Sequence, residues 1–269
     1  MAERSVVDEA ASGRKYAVIT GASSGLGAAF ADRLAARGFD LVLVARDEPR
    51  LAAVARAAGE RHGVRCEVLP ADLSHAADRH RVVERIGAGV DFLVNAAGFG
   101  VAGSFWTVER ALLDAQLAVN VISTQEFTHA ALRTMVPGRG GTVVNLSSIT
   151  GLIPGRGSTY AASKAWIRYF SQGLSAALRG TGTRVMVLSP GFVRTEFHAR
   201  ADIDVTQVGD GWWSEPGAVV DRCLADLARG RDYSLPGLRN KVFISAVSRL
   251  PRGLAQRVNR MLGNAGARA

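Results

Sequence analysis

The chain has 269 residues, 48% of them hydrophobic, and a formal net charge of +9 at pH 7. From residue 229 onward, nine Lys or Arg residues face a single acid, so the positive charge belongs to the C-terminal tail. The first 14 residues lack the apolar stretch of a signal peptide, and no apolar run approaches the about 20 residues of a membrane-spanning helix. These features exclude an ordinary secreted or membrane-spanning protein, and we expect a soluble, cytoplasmic one.

Short apolar runs alternate with helical patterns along the chain, and the runs are apolar on both faces, as buried parallel strands are. Strands are predicted at 15–20, 40–45, 66–71, 91–97, 142–147 and 184–190. Helices are predicted near 25–37, 48–60, 75–87, 107–135 and 158–179. This alternation predicts an α/β protein with a doubly wound parallel sheet and right-handed crossovers. We divide the chain into a flexible N-terminal segment, 1–13, one domain, 14–236, and a basic helical C-terminal extension, 237–269.

The stretch TGASSGLG (20–27) follows the first predicted strand and opens a helix. Gly21 permits a sharp turn, while Gly25 and Gly27 let the backbone approach a phosphate and let the helix approach the strand. The free N–H groups at the helix start then face a pyrophosphate. The candidate nucleotide-binding residues of this turn are Gly21, Ser23, Ser24, Gly25, Leu26 and Gly27. A plain tight turn is the alternative explanation of the small residues.

The second predicted strand ends at Ala45, and Arg46 and Asp47 follow. An acid at the strand tip accepts the ribose 2′-hydroxyl of NAD, but position 45 is Ala. The Arg46 guanidinium suits the 2′-phosphate of NADP, which favours NADP(H) over NAD(H). A solvated surface arginine is the alternative, and Asp47 counts against the phosphate because it carries a negative charge.

Four motifs together resemble the short-chain dehydrogenase/reductase family, in the branch acting on free alcohols and carbonyls. They are TGASSGLG (20–27), NAAG (95–98), the serine pair of NLSS (145–148) and YAASK (160–164), and they occur in the family's order and spacing. The resemblance covers about residues 14–200. It implies a Rossmann fold and hydride transfer with a nicotinamide cofactor. It also implies a substrate lid over 192–214, and dimers or tetramers built partly from the predicted helices 107–135 and 158–179.

Tyr160 and Lys164 lie four residues apart on a predicted helix and therefore share a face. A nearby ammonium lowers the pKa of a phenol, as an oxidised nicotinamide also does. We therefore expect Tyr160 to be the general acid and base, with Lys164 lowering its pKa. The resemblance implies that Lys164 also binds the nicotinamide ribose. For Tyr160 and Lys164 taken alone, the alternative is two surface side chains that happen to lie four residues apart.

The catalytic serine is either Ser147 or Ser148. Ser147 has the family's usual distance of thirteen residues before the tyrosine, whereas Ser148 is the second serine of the pair just past the strand. We favour Ser148, with a one-residue deletion in the loop 151–159, and expect its hydroxyl to hold the substrate oxygen. For Asn120, the resemblance implies a water relay to Lys164, and a satisfied buried amide is the alternative.

The resemblance assigns further cofactor contacts. Asp72 and Leu73 match the adenine position, and the NAAG motif lies under the adenosine half. The segment after the sixth strand closes on the nicotinamide amide. The residues are Asp72, Leu73, Asn95, Ala96, Ala97, Gly98, Pro190, Gly191, Val193 and Thr195. Ordinary turns out of strands are the alternative.

The loop 98–107 and the lid are mainly apolar, which favours a hydrophobic ketone, aldehyde or alcohol as substrate. Their large apolar residues are Phe99, Val101, Phe105, Trp106, Phe192, Phe197, Trp212 and Trp213, and the polar exceptions are Arg194, His198 and Arg200. Trp212 and Trp213 either line the substrate pocket or cover the hydrophobic core. His75 and His80 do not share a helical face and have no third ligand, so we expect no metal.

The sequence thus predicts an NADP(H)-dependent oxidoreductase that binds a small hydrophobic substrate and forms a homodimer or homotetramer. The basic stretch 238–263 either packs on the domain or a subunit, or contacts an anionic membrane surface peripherally. This basic stretch contains no motif of the kind that recognises nucleic-acid bases, so we expect no nucleic-acid partner. The alternatives to an enzyme are a non-catalytic NADP(H)-sensing regulatory protein and a membrane-surface scaffold.

Overall fold

The computed structural model describes residues 13–152 and 159–248, and it contains two sheets. The strands are β1 (Lys15–Thr20), β2 (Phe39–Ala45), β3 (Cys66–Pro70), β4 (Phe92–Asn95), β5 (Gly141–Leu146), β6 (Thr183–Leu188), β7 (Phe192–Val193), β8 (Trp213–Ser214) and β9 (Tyr233–Ser234). Seven of them form one sheet in the order β3-β2-β1-β4-β5-β6-β9. All its pairings are parallel, and β7 and β8 form a separate parallel pair. The predicted doubly wound parallel sheet is confirmed.

Helices cover both faces of the larger sheet. They are α1 (Gly25–Ala35), α2 (Glu48–His62), α3 (Ala76–Gly87), α4 (Arg110–Leu117), α5 (Ser123–Met135), α6 (Thr159–Ala177), α7 (Phe197–Arg200), α8 (Pro216–Ala228) and α9 (Leu238–Ser248). On one face, Phe30 and Leu34 of α1 and Val220 of α8 pack with the strands; on the other, Val82 of α3 and Phe127 of α5 do. Each such buried side chain contributes roughly 1.5–3 kcal/mol to the free energy of unfolding.

Local sequence explains why α2 begins and ends where it does. Asp47 is its N-cap, and the Asp47 carboxylate accepts a hydrogen bond from the backbone N–H of Arg50 at 3.0 Å. Pro49 stands in the first turn, where no N–H donor is needed. Gly63 ends the helix in a left-handed conformation with φ of 69°. Asp47 is therefore engaged with α2 through both the backbone and the guanidinium of Arg50.

The predicted helix over 107–135 is interrupted. Instead of one helix, α4 and α5 are joined by a π-helical turn, Ala118–Ile122, that contains Asn120. A π turn widens the helix by one residue and is frequent at functional sites. The periodicity of the sequence continues through it, so the interruption was not visible there.

The first part of the basic stretch packs on the domain. Asn240 and Val247 of α9 are buried, and the ring of Phe243 lies 5.8 Å from that of Trp212 in the lid. Residues 249–263 of this stretch lie outside the described residues, as does 1–12 of the N-terminal segment. Within the described ranges, no helix is both long and apolar enough to cross a membrane.

The strand order places a cleft at the carboxyl edge of the sheet. The chain runs from β1 outward to β2 and β3 and then returns to β4 on the other side of β1. The ends of neighbouring strands are level there, since Thr20 pairs with Asn95 and Asn95 pairs with Asn145. Such a reversal of strand order opens a ligand crevice outside the strand ends.

Candidate active site

The glycine-rich turn is closely packed against the sheet edge. Gly21 has φ of +66°, and a Cβ atom there would lie 3.0 Å from the Ala97 backbone. A Cβ atom on Gly27 would overlap the carbonyl oxygen of Gly21. Ser24, the N-cap of α1, makes no side-chain capping hydrogen bond. The backbone of the turn is therefore not covered by side chains. The first N–H groups of α1 remain available to a ligand, and this arrangement fits a pyrophosphate.

Thr20 ties this turn to the NAAG motif, a role that the sequence analysis missed. Its hydroxyl oxygen accepts hydrogen bonds from the backbone N–H groups of Ala96 (3.1 Å) and Ala97 (3.0 Å). A hydroxyl residue ending an otherwise apolar strand was the signal that pointed to it.

The four residues of NAAG have different surroundings. The Asn95 amide is buried and donates to Asn145 Oδ1 (2.8 Å) and Thr128 Oγ1 (3.2 Å), so it belongs to a polar network beneath the sheet edge. Gly98 instead adjoins the catalytic candidates, because a Cβ atom there would lie 3.0 Å from Asn120 Oδ1 and 3.3 Å from Lys164 Nζ.

Arg46 and Asp72 lie close together just past the ends of β2 and β3. The Arg46 side chain is 73% exposed, and its Nη1 lies 4.0 Å from Asp72 Oδ2. Asp72 Oδ1 accepts hydrogen bonds from the backbone (2.9 Å) and hydroxyl (2.7 Å) of Ser74. Burial favours the neutral acid, but these bonds and the Arg46 charge outweigh it and lower the pKa of Asp72. Leu73, beside it, is buried.

The two candidate serines point in different directions. The Ser148 hydroxyl makes a hydrogen bond with the Tyr160 hydroxyl and accepts one from the Thr150 backbone N–H at 3.2 Å. The Ser147 hydroxyl donates to the backbone oxygen of Lys164 at 2.6 Å. The structure thus brings Ser148, and not Ser147, to the phenol. Most of the loop with the inferred deletion, residues 153–158, lies outside the described residues.

The surroundings of Tyr160 correct one expectation. Burial raises the pKa of Tyr160, and the hydrogen bond with Ser148 offsets only part of this rise. The Lys164 amino group lies 5.6 Å from the ring centre and donates to the Leu146 carbonyl oxygen at 2.8 Å. Burial also lowers the pKa of Lys164 to about 8. In the chain by itself, the expected lowering of the Tyr160 pKa by Lys164 is therefore absent, because desolvation dominates.

Asn120 is fully buried and its amide is held at both ends. Its Oδ1 accepts from the Phe99 backbone N–H (3.1 Å), and its Nδ2 donates to the Phe99 carbonyl oxygen (3.1 Å) and to Ser163 Oγ (3.3 Å). Gln116 supports the same loop, because its Nε2 donates to the Phe99 oxygen and its Oε1 accepts from Thr159. Gln116 was missed because one buried glutamine in a helix carries no signal of its own.

The segment after β6 lies beside the serines and the glycine-rich turn. The Pro190 carbonyl oxygen accepts a hydrogen bond from the Ile149 backbone N–H at 3.0 Å, and Val193 is buried in β7. Thr195 Cγ2 lies 3.0 Å from where a Cβ of Gly25 would be. A Cβ atom on Gly191 would overlap the Asn240 amide of α9, a contact across the sequence that no local pattern indicates.

Aromatic rings of the predicted lid segment pack together, and one of them contacts Tyr160. The Phe197 ring centre lies 5.4 Å from that of Tyr160. Phe192, His198 and Trp213 pack together with centre distances of 5.3–5.6 Å, and burial lowers the pKa of His198. Trp213 thus belongs to the lid cluster.

The other candidate pocket residues lie at or beyond the edge of this cluster. Phe105 and Trp106 are exposed on their loop. Arg194 is paired with Asp210 at 2.9 Å, and Arg200 is paired with Glu196. Both arginines therefore have a carboxylate partner, and Arg200 shares its partner with Arg50. Within the described residues, no group of three or more His, Cys, Asp or Glu is placed to hold a metal ion.

Comparison with known proteins agrees with this geometry. The family model for short chain dehydrogenases matches residues 15–205. The chain belongs to the short-chain dehydrogenase family. As a member of it, the protein is an oxidoreductase that acts on alcohol and carbonyl groups and needs a nicotinamide cofactor, as its motifs predicted.

Three similar proteins show the range of the family. A short-chain dehydrogenase from Sphingobium yanoikuyae in complex with NADPH is 34% identical, with a TM-score of 0.81 over 91% of this chain and 94% of that chain. The bulky-bulky ketone specific alcohol dehydrogenase from Comamonas testosteroni is 28% identical, with a TM-score of 0.75 over 88% and 95%. A sulfoacetaldehyde reductase from Chromohalobacter salexigens is 39% identical over 66% of this chain and 72% of that protein.

Proposed function

We propose that this protein interconverts a hydrophobic ketone or aldehyde and its alcohol, using NADP(H). The hydrogen bond between the hydroxyls of Ser148 and Tyr160 carries the proposal, since it brings two donors to one point beneath the lid. When bound, the nicotinamide cofactor supplies or accepts the hydride. The chain's own residues bind and orient the reactants and move the proton.

Tyr160 donates its proton to the carbonyl oxygen during reduction and removes it from the alcohol during oxidation. Ser148 holds the same oxygen and stabilises its developing negative charge. Lys164, buried behind the ring, binds the nicotinamide ribose and favours the phenolate once the site is filled. For Asn120, whose amide is bonded to Phe99 and Ser163, we propose that it orients a water that relays protons to Lys164.

The preference for NADP(H) is proposed from Arg46. Its guanidinium is exposed at the end of β2, and position 45 has no carboxylate to accept a ribose hydroxyl. A 2′-phosphate is the ligand that best matches this cation. The Sphingobium relative, which was solved with NADPH, supports the same choice.

The preference for a hydrophobic substrate is proposed from the lid. Phe197 packs on Tyr160, and Phe192 and Trp213 extend this aromatic surface through His198. The arginines of the lid are paired with acids. The Comamonas relative is named for bulky ketones, which agrees. The Chromohalobacter relative is named for sulfoacetaldehyde, so a small anionic aldehyde is the competing class.

The test is an assay of NADPH oxidation with lipophilic ketones, sulfoacetaldehyde and short keto acids. We expect lipophilic ketones to be reduced, and Tyr160→Phe to lose at least about 10²-fold in turnover while still binding NADPH. Tyr169→Phe, which changes an exposed tyrosine on the same helix, is the control and should keep full activity. A preference for the small anions would overturn the substrate class. NADPH binding without any turnover would favour the sensing or scaffold alternatives.

We also propose that copies of this chain associate through α4, α5 and α6. Leu112 and Leu117 of α4 and Ile122 of the π-helical turn expose apolar surface there. A cleft of about 360 Å³, partly lined by Phe105 and Leu117, adjoins them but does not include Tyr160 or Ser148. Leu117→Glu should therefore shift the mass measured by light scattering towards the monomer, and an unchanged mass would contradict the proposal.

A peripheral membrane contact is proposed from α9. Leu238 and Val242, one turn apart, are 77% and 61% exposed, and the basic residues Arg239 and Lys241 lie between them in the sequence. Apolar and basic residues together suit an anionic lipid surface. Flotation with phosphatidylglycerol vesicles should weaken in a Leu238→Gln/Val242→Gln variant. Equal flotation of variant and native protein would argue against the contact.

A further inference from the structure

Three consecutive lid residues contact three different parts of the site. Thr195 lies over the glycine-rich turn, 3.0 Å from where a Cβ of Gly25 would be. Glu196 Oε2 accepts a hydrogen bond from Arg50 Nη1 at 2.8 Å. The Phe197 ring packs on Tyr160. The segment therefore spans the mouth of the cleft, from the first turns of α1 and α2 to α6.

The ion pair between Arg50 and Glu196 is the polar contact that joins this lid segment to α2. Arg50 stands in the first turn of α2, and its Nε lies 3.4 Å from Asp47, so the guanidinium is held on the side of α2. Glu196 is also paired with Arg200, one turn along in α7, but this contact lies within the lid and does not reach α2. The bond from Arg50 is the largest of the influences that lower the pKa of Glu196, so this carboxylate is charged at neutral pH.

We propose that the Arg50–Glu196 ion pair holds the lid closed over the cofactor cleft and thereby slows release of the nicotinamide cofactor. The inference rests on the proposed function, because it requires that a nicotinamide cofactor binds between the glycine-rich turn and Tyr160. Arg50 and Glu196 act as positioning residues that hold Thr195 and Phe197 in place. Neither is a catalytic residue.

The location of the pair supports a role in release. Thr195 lies against Gly25 of the glycine-rich turn, so a ligand that extended along the carboxyl edge of the sheet from Arg46 to Tyr160 would pass beside the segment that contains Thr195. On this proposal the ligand leaves when the segment lifts, and lifting the segment would break the bond between Glu196 and Arg50. The side chains are about half exposed, 45% for Arg50 and 48% for Glu196, so the bond opens readily and is screened by salt. Both properties suit a closure that must open once per turnover.

A different role for Arg50 makes a different prediction. If its guanidinium bound the 2′-phosphate, Glu196 would compete with that phosphate. Arg50→Gln would then weaken NADPH alone, and Glu196→Gln would tighten it. A pair that closes the lid makes no distinction between NADPH and NADH, since neither residue then touches the cofactor. Measuring both cofactors with both variants separates the two roles.

The experiment measures the dissociation rates of NADPH and NADH by stopped-flow fluorescence, using displacement by excess oxidised cofactor. The variants are Arg50→Gln, Glu196→Gln and the double variant. Arg200→Gln is the matched control, because Arg200 pairs with the same carboxylate but lies on the lid helix itself. Thermal unfolding of each variant checks that the fold is kept.

We expect each single variant to release both cofactors about three- to fivefold faster, as suits an exposed pair. The double variant should be no faster than either single one, because the same bond is lost. High salt should speed release from the native protein and not from the variants, and Arg200→Gln should remain near the native rate.

Two results would overturn this inference alone. They are NADPH binding with unchanged release rates, and an effect of Arg50→Gln confined to NADPH. A native protein that binds neither NADPH nor NADH would overturn the proposed function and this inference with it. The first experiment of the series, equilibrium binding of NADPH to the native protein, separates these cases.

Discussion

The amino group of Lys164 lies over the ring of Tyr160, 5.6 Å from its centre, while its hydrogen bond goes to the Leu146 carbonyl oxygen. The lysine is thus fixed by the strand end and not by the phenol. A charge held in this way is available to a ribose hydroxyl and to the phenolate at the same time. It is also buried, so the fold bears the cost of desolvating it.

This cost predicts how stability depends on pH. The pKa of Lys164 falls from 10.5 to about 8 in the folded chain because of burial. Between these values the unfolded chain holds more protons than the folded one, so the Lys164 contribution to the free energy of unfolding rises with pH. Below pH 8 both states are protonated and the penalty is complete, about 3 kcal/mol.

Lys164→Met should therefore be more stable than the native chain at pH 7, and this advantage should shrink between pH 8 and 10.5. Urea unfolding across this range, without cofactor, measures the difference. Lys15→Met, at an exposed lysine, is the control. A difference between native and Lys164→Met that stays constant with pH would show that burial does not shift the pKa of this lysine.

The serine pair allows a sharp comparison, because neighbouring hydroxyls have different partners. Ser148→Ala removes the bond to Tyr160 and should lower kcat by about 10²–10³-fold with little loss of stability. Ser147→Ala removes the bond to the Lys164 backbone and should lower the free energy of unfolding by about 1 kcal/mol while kcat changes little. Steady-state rates and urea unfolding of both variants decide the assignment. The reverse pattern would return the role to Ser147.

The sequence predicted those parts of the fold that local pattern determines. Runs such as KYAVIT (15–20) form strands whose later residues are buried, and the glycine spacing of the first turn indicates close backbone packing there. The strand β9 was missed because Tyr233 and Ser234 form no apolar run. It is secured by a contact from α8, where the buried carboxylate of Asp226 accepts a bond from Ser234 Oγ at 3.0 Å. That helix was not predicted either.

The same reasoning applies to the site. Tyr160, Lys164 and Ser148 were predicted as site residues because they share one motif-bearing stretch of chain, and the structure brings their side chains together. The partners of Glu196 and Gly191 were not, because Arg50 lies 146 residues away from Glu196 and Asn240 belongs to a stretch interpreted as a tail. The lowered pKa expected for Tyr160 was wrong for the chain by itself, since spacing indicates a neighbouring charge but not how deeply the pair is buried.

Arg46 predicts a cofactor preference that can be measured. Arg46→Ala should weaken NADPH by about 10- to 100-fold, because a charge-assisted bond to the 2′-phosphate is lost, and leave NADH nearly unchanged. Equilibrium fluorescence titration with both cofactors gives the ratio. Arg133→Ala, at an exposed site on α5, controls for net charge. Equal weakening of NADPH and NADH by Arg46→Ala would remove the basis for the NADP(H) preference.

The contact between Gly191 and α9 predicts a compensated pair of substitutions. The backbone at Gly191 is open to any residue, but a methyl group there would overlap the Asn240 amide, which is buried and donates to the Pro236 carbonyl oxygen at 2.8 Å. Gly191→Ala should therefore displace α9 and lower the free energy of unfolding by about 1–3 kcal/mol. Adding Asn240→Ala removes the overlapping amide, so the double variant should recover stability relative to Gly191→Ala alone. Urea unfolding of the four proteins of this cycle measures the coupling between the two sites. Additive losses would mean that the close approach of α9 to Gly191 is not what makes glycine necessary there.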